Sequence, residues 1–123
     1  MEILKIEGTK RTPSIGFTPD GHLVVEGRSI PENSIELYRP AMEWIESYAA
    51  SPATETVFHM KLEYYNTSSS KAILGILKRL SELGEAGHTV KVVWYYQKDD
   101  EDMREAGEDY SQIIKLPFTF EHL

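Results

Sequence analysis

Hydrophobic and polar positions along this chain repeat with two periods, and the switches between them mark out its elements. Residues 2–7 alternate apolar and charged side chains and predict a short strand. Residues 12–17 predict a second, pushed towards a sheet edge by Pro13. Thr18-Pro19-Asp20-Gly21 is a turn: proline pre-sets one dihedral and glycine supplies a positive φ. His22 to Gly27 returns as a strand, so 13–27 reads as a hairpin.

The period then lengthens. Asn33 and Ser34 are both good helix caps, and Asn33 with Glu36 resembles a capping box. Ile35, Tyr38, Met42, Ile45 and Tyr48-Ala49 recur at helical spacing, which predicts a helix over 34–50. Pro40 predicts a kink or a break into two pieces near Arg39, because its ring clashes with the carbonyl four residues back. Residues 56–65 alternate again. Phe58, Met60, Leu62 and Tyr64 share one face and fall to the core, while Tyr65 points away. A helix starting at Ser69 or Ser70 carries Ile73, Ile76, Leu77, Leu80 and Leu83, with Gly84 and Gly87 as candidate stops. Val90 to Tyr96 predicts a strand, 99–112 a helix with an acidic first turn, and 116–120 a last short strand.

Helices that link successive strands by right-handed crossovers make those strands parallel. The expected fold is therefore α/β: one domain over 1–123, with a mixed sheet of four to six strands. The hairpin lies at one edge and the helices lie mainly on one face.

Composition narrows the function. There is no Cys, which excludes thiol chemistry, disulfides and cysteine-ligated zinc. Thirteen basic against 20 acidic residues leave a net charge of −7, which disfavours nucleic acid as a partner. No apolar run approaches the roughly 20 residues of a membrane span, and the N-terminus lacks a signal-peptide profile. The expected location is cytoplasmic. His22, His59, His88 and His122 show no metal-ligand spacing, and the acidic run Asp99–Asp102 lacks the pattern of a calcium loop. No metal or cofactor is expected. Neither a Gly-x-Ser-x-Gly elbow nor a phosphate-binding Gly-rich loop is present, and no catalytic residue stands out by spacing.

The chemistry concentrates at the junction Glu63 to Lys71, where a strand ends and a helix begins. A helix N-terminus presents unpaired N–H groups and partial positive charge. Four consecutive hydroxyl residues, Thr67 to Ser70, occupy it. Such a run also serves simply to cap a helix. A phosphoryl group there would add about −1.5 to −2 charges.

Strand, then Asn66-Thr67-Ser68-Ser69, then a helix resembles the signature of anti-sigma factor antagonist (STAS-type) domains, small α/β regulators phosphorylated at this junction. The chain more closely resembles the SiaC-type family of biofilm-regulation phosphoproteins. It shares their Thr12-Pro13 after the first strand, Pro31-Glu32-Asn33-Ser34 at a helix start, and the helix segment Met42-Glu43-Trp44-Ile45-Glu46. It also shares Tyr64-x-Asn66-Thr67-Ser68-Ser69-x-Lys71 and the strand Val93-Trp94-Tyr95-Tyr96. The resemblance implies a STAS-like, non-enzymatic partner switch. By it, the unphosphorylated protein binds and activates a diguanylate cyclase, a Ser/Thr kinase modifies the junction, and a PP2C-type phosphatase restores it. Thr67 would be the phospho-acceptor, with Ser68 the alternative. Tyr65, Asn66, Ser68, Ser69 and Lys71 would form the supporting junction and partner surface, and Glu32, Asn33 and Ser34 its rim. Asn66 and Ser69 stand where sporulation-type antagonists have Asp and Gly, so their sigma-factor partners are not implied.

Two other functions fit the same junction. A small-ligand or anion-binding module would need a concave pocket near Asn66–Ser70. A hydrolase would need a histidine within hydrogen-bond reach of Thr67 or Ser68.

Overall fold

A computed structural model describes residues 1–123. The elements, in chain order, are β1 (Leu4–Ile6), β2 (Ser14–Phe17), β3 (His22–Ser29), α1 (Ser34–Tyr48), β4 (Glu55–Tyr65), α2 (Thr67–Glu85), β5 (Thr89–Tyr96), α3 (Glu101–Ile113) and β6 (Phe118–His122). The six strands lie side by side in sequence order. β1–β2 and β2–β3 are antiparallel, and β3 to β6 are parallel. Because the parallel strands never reverse their order, crossovers of one hand carry every helix to the same face. This is the predicted mixed sheet, with the hairpin at one edge.

Burial follows from that one-sidedness. Ile15, Phe17, Leu23, Val25, Phe58, Met60, Leu62, Val92 and Trp94 face the helices and are buried. Their neighbours His22, Val24, His59, Lys61, Val93 and Tyr95 lie on the uncovered face and keep partial exposure. The turn at Thr18–Gly21 needs its glycine: Gly21 has φ +95°, and a Cβ there would lie 2.0 Å from the Glu55 carbonyl oxygen. No helix is long and apolar enough to cross a membrane.

Three local expectations are corrected. α1 is one helix across Pro40, so the predicted break into two pieces does not occur. The carbonyl that loses its donor belongs to Glu36, an exposed residue whose backbone water can serve. The buried stripe of α1 runs through Ser34, Tyr38, Ala41, Ile45 and Tyr48, so Ile35 falls off it and is 73% exposed. α2 begins two to three residues earlier than predicted, at Thr67, because Asn66 rather than a serine caps it. Finally, the β3–β4 register slips: Gly27 pairs with Leu62, but Arg28 pairs with Tyr64. Glu63 is the extra residue of a bulge, and one extra residue reverses which face each later side chain takes. Tyr64 is therefore 51% exposed, under the Arg28 guanidinium, while Tyr65 turns inwards against Trp94.

Candidate functional site

The parallel strands β3, β4 and β5 each run into a helix at the same sheet edge, so the starts of α1, α2 and α3 come side by side. The β4–α2 junction sits in the middle. Asn66 shapes it. Its backbone is extended, its Oδ1 accepts the Ser69 N–H at 2.9 Å, and its Nδ2 donates to the Pro31 carbonyl at 3.2 Å. One side chain thus caps α2 and ties it to the loop that leads into α1.

The four hydroxyls do four different things. Ser69 is fully buried and supports the junction from inside, so it cannot face a partner. Its Oγ lies 2.8 Å from Ser29 Oγ and donates to the Ser29 carbonyl at 3.1 Å. Ser29 Oγ in turn lies 2.7 Å from the Tyr38 hydroxyl. One assignment uses every proton: Tyr38 donates to Ser29 Oγ, Ser29 to Ser69 Oγ, and Ser69 to the Ser29 carbonyl. Burial pushes the Tyr38 phenol up to about 12, partly offset by Ser29. Ser70 Oγ turns back to the Thr67 carbonyl at 2.6 Å, and the Ser70 carbonyl accepts from the Tyr110 hydroxyl at 2.9 Å. Ser68 Oγ donates to Asn66 Oδ1 at 3.2 Å. Thr67, at the first position of α2, is exposed, and its hydroxyl bonds to nothing in the chain.

Thr67 opens onto a groove of about 560 Å³, lined by Ser34, Ile35, Thr67, Ser68, Lys71 and Ala72. Lys71 is exposed and free of ion pairs. The sequence-predicted residues therefore meet on one edge, but in different roles. Thr67, Ser68 and Lys71 face the groove. Ser34 lines it while largely buried, and Glu32 and Asn33 are exposed beside it. Tyr65 is half-buried, and burial raises its phenol; the neighbouring Tyr110 hydroxyl partly offsets this. The residue that pattern reading missed is Ile35. Its spacing from Tyr38 and Met42 matches a core stripe, yet it is the groove's largest exposed apolar side chain.

Ser68 Oγ is held by an amide rather than by an imidazole, and none of the four histidines bonds to Thr67 or Ser68. The groove has six lining residues, two of them hydrophobic, and opens to solvent. Ligand crevices in α/β sheets form where strand order reverses, and this sheet has no reversal. The arrangement suits contact with another macromolecule better than enclosure of a small ligand.

Relatives share this architecture. Among solved structures, SiaC of Pseudomonas aeruginosa superimposes with a TM-score of 0.92 at 33% identity, covering all of both chains. Apo-SiaC from the same organism gives 0.90 at 34% identity, over 98% of this chain and 99% of that one. A structure of the diguanylate cyclase SiaD in complex with its activator SiaC, also from P. aeruginosa, matches with 0.89 at 34% identity, over the same shares. An uncharacterised protein of P. aeruginosa strain UCBPP-PA14 is 35% identical over 122 residues, which is 98% of this chain and 97% of that protein. The model of the SiaC family of regulatory phosphoproteins matches residues 6–123, and the chain belongs to that family.

Proposed function

We propose that this protein is a non-enzymatic partner switch of the cytoplasm, and that its switch is the phosphorylation state of Thr67. Unphosphorylated, it binds and activates a diguanylate cyclase. A Ser/Thr kinase transfers the phosphoryl group to the Thr67 hydroxyl, and a PP2C-type phosphatase removes it. The carrying observation is the division of labour among the four hydroxyls: Ser68, Ser69 and Ser70 are each engaged within the fold, and Thr67 alone is exposed and unbonded. This favours Thr67 over Ser68 as acceptor. The complex of SiaD with its activator SiaC supports the choice of effector.

The physical switch is desolvation. A partner that closes on Ile35 and Ala72 beside Thr67 excludes water from the groove. A phosphate there carries about −1.5 to −2 charges and loses its hydration under such a partner. Each tenfold loss of affinity needs only about 1.4 kcal/mol.

The test is intact-mass spectrometry with site mapping on protein purified from its native cells, followed by a cyclase assay. The expected result is a phosphate on Thr67, with Thr67→Ala still stimulating the cyclase and Thr67→Glu failing to. Phosphate confined to Ser68, or equal stimulation by both variants, overturns the reading.

A further inference from the structure

The junction has a second flank. On the β5 side, away from Ile35, a groove of about 330 Å³ runs between the end of β4 and the start of α3. Tyr64, Tyr65, Met103 and Ala106 supply its apolar walls, and Glu63, Asp100 and Asp102 supply its acids. The β4 bulge builds it, by placing Glu63 and Tyr64 outwards in succession. Tyr64 is one of the few large apolar side chains the fold leaves half in water.

The charge around this groove is segregated. Residues 97–113 hold seven of the 20 acidic residues and two of the 13 basic ones, so five of the seven net negative charges lie on this one stretch. The chain's ion pairs lie elsewhere: Glu7, Glu36, Glu46, Glu55 and Glu82 find cations, while no acid of the groove or of α3 does. Arg104, the one cation on α3, pairs with none of its acidic neighbours. An apolar floor with an unneutralised acidic rim is complementary to one kind of surface and repels nucleic acid and anionic membranes.

We propose that this groove docks a cationic amphipathic segment of a protein partner. One apolar side chain seats on Tyr64, Tyr65, Met103 and Ala106, and flanking Lys or Arg side chains answer Glu63, Asp100 and Asp102. The site shares no lining residue with the Thr67 groove.

The experiment titrates the full-length protein with a labelled helix-forming peptide carrying leucine flanked by lysine and arginine. Its two counterparts replace leucine with glutamine, or the cations with glutamate. Binding is read by fluorescence anisotropy and located by amide chemical shifts; neither kinase nor cyclase enters, so the outcome is independent of the Thr67 reading. The expected result is binding of the cationic leucine peptide, with shifts over 63–65 and 100–106 and weakening by added salt. The double variant Glu63→Lys/Asp102→Lys binds about tenfold more weakly or worse, and so does Tyr64→Ser. The control Glu85→Lys/Glu121→Lys, which removes two exposed acids elsewhere, changes binding at least threefold less than the groove variant does, on the order expected for a distant charge. Asp100 is left intact, because its Oδ1 caps α3 at Met103 N–H. Equal weakening by the control variant would reduce the effect to net charge and overturn the proposal. So would binding that survives the groove variants, preference for the acidic peptide, no binding, or self-association of the protein through this groove in sedimentation.

Discussion

α1 and α2 start with the same cap and fare differently. In each, an asparagine in extended conformation accepts the N–H three residues on: Asn33 from Glu36 at 3.1 Å, Asn66 from Ser69 at 2.9 Å. At α1 that third residue is exposed, and the cap is purely local. At α2 it is a buried serine wired through Ser29 to Tyr38, while the cap itself reaches across to Pro31. Capping chemistry decides where a helix begins. The polar wiring beneath decides whether that beginning is held rigid. Under the function proposed above, a junction that presents the Thr67 hydroxyl to a kinase, a phosphatase and an effector would gain from the second, since its own backbone bonds need not open on modification.

The comparison breaks most sharply at the third helical position. Ser69→Val puts a branched apolar side chain against the buried Ser29 hydroxyl and removes the acceptor of its proton, leaving Ser29 bonded to Tyr38 alone; a loss of about 2–3 kcal/mol is expected in urea unfolding. Glu36→Val, at the same position of α1, is expected to cost about 1 kcal/mol, from the exposed Arg39 ion pair, the first-turn charge and the helix propensity. Equal losses would mean that the buried network adds nothing to the cap. Next come the caps themselves. Asn66→Ala removes the cap and the Pro31 tie together and is expected to cost about 2 kcal/mol, against about 1 kcal/mol for Asn33→Ala. Tyr38→Phe removes one donor from the far end of the network and leaves Ser29 bonded to Ser69. About 1 kcal/mol is expected, read by the same unfolding curve.

These contrasts also show what pattern reading reaches. The alternating runs, the Pro-Asp-Gly turn and the apolar stripe of α2 are local signals, and each element they predict is present. The slip at Glu63 is invisible to them, because Tyr64 and Tyr65 satisfy either parity equally well. The start of α2 is displaced because five successive residues from Asn66 all make acceptable caps, and only contact with Pro31 and Ser29 selects the first. Ile35 reads as core by spacing and is exposed because Ser34 takes the inward place. Ser29, Tyr38 and Ser69 lie nine and 40 residues apart, joined by no periodicity, so their network is set by tertiary packing alone.

The smallest expected effect is the most diagnostic. Thr67→Val keeps the branched shape and removes only the hydroxyl. Thr67 is exposed at the first position of α2, where its hydroxyl bonds to nothing and the cap is supplied by Asn66. Valine and threonine have similar helix propensities. Stability should therefore change by less than about 0.5 kcal/mol, while the phosphorylation proposed for this position should be abolished. A loss above about 1 kcal/mol would show the hydroxyl to be part of the capping structure, as its neighbours are. The two asparagine-capped starts would then differ only in degree. A neutral substitution instead leaves Thr67 as the one hydroxyl of the run that the fold does not use, which is the property a reversible modification requires.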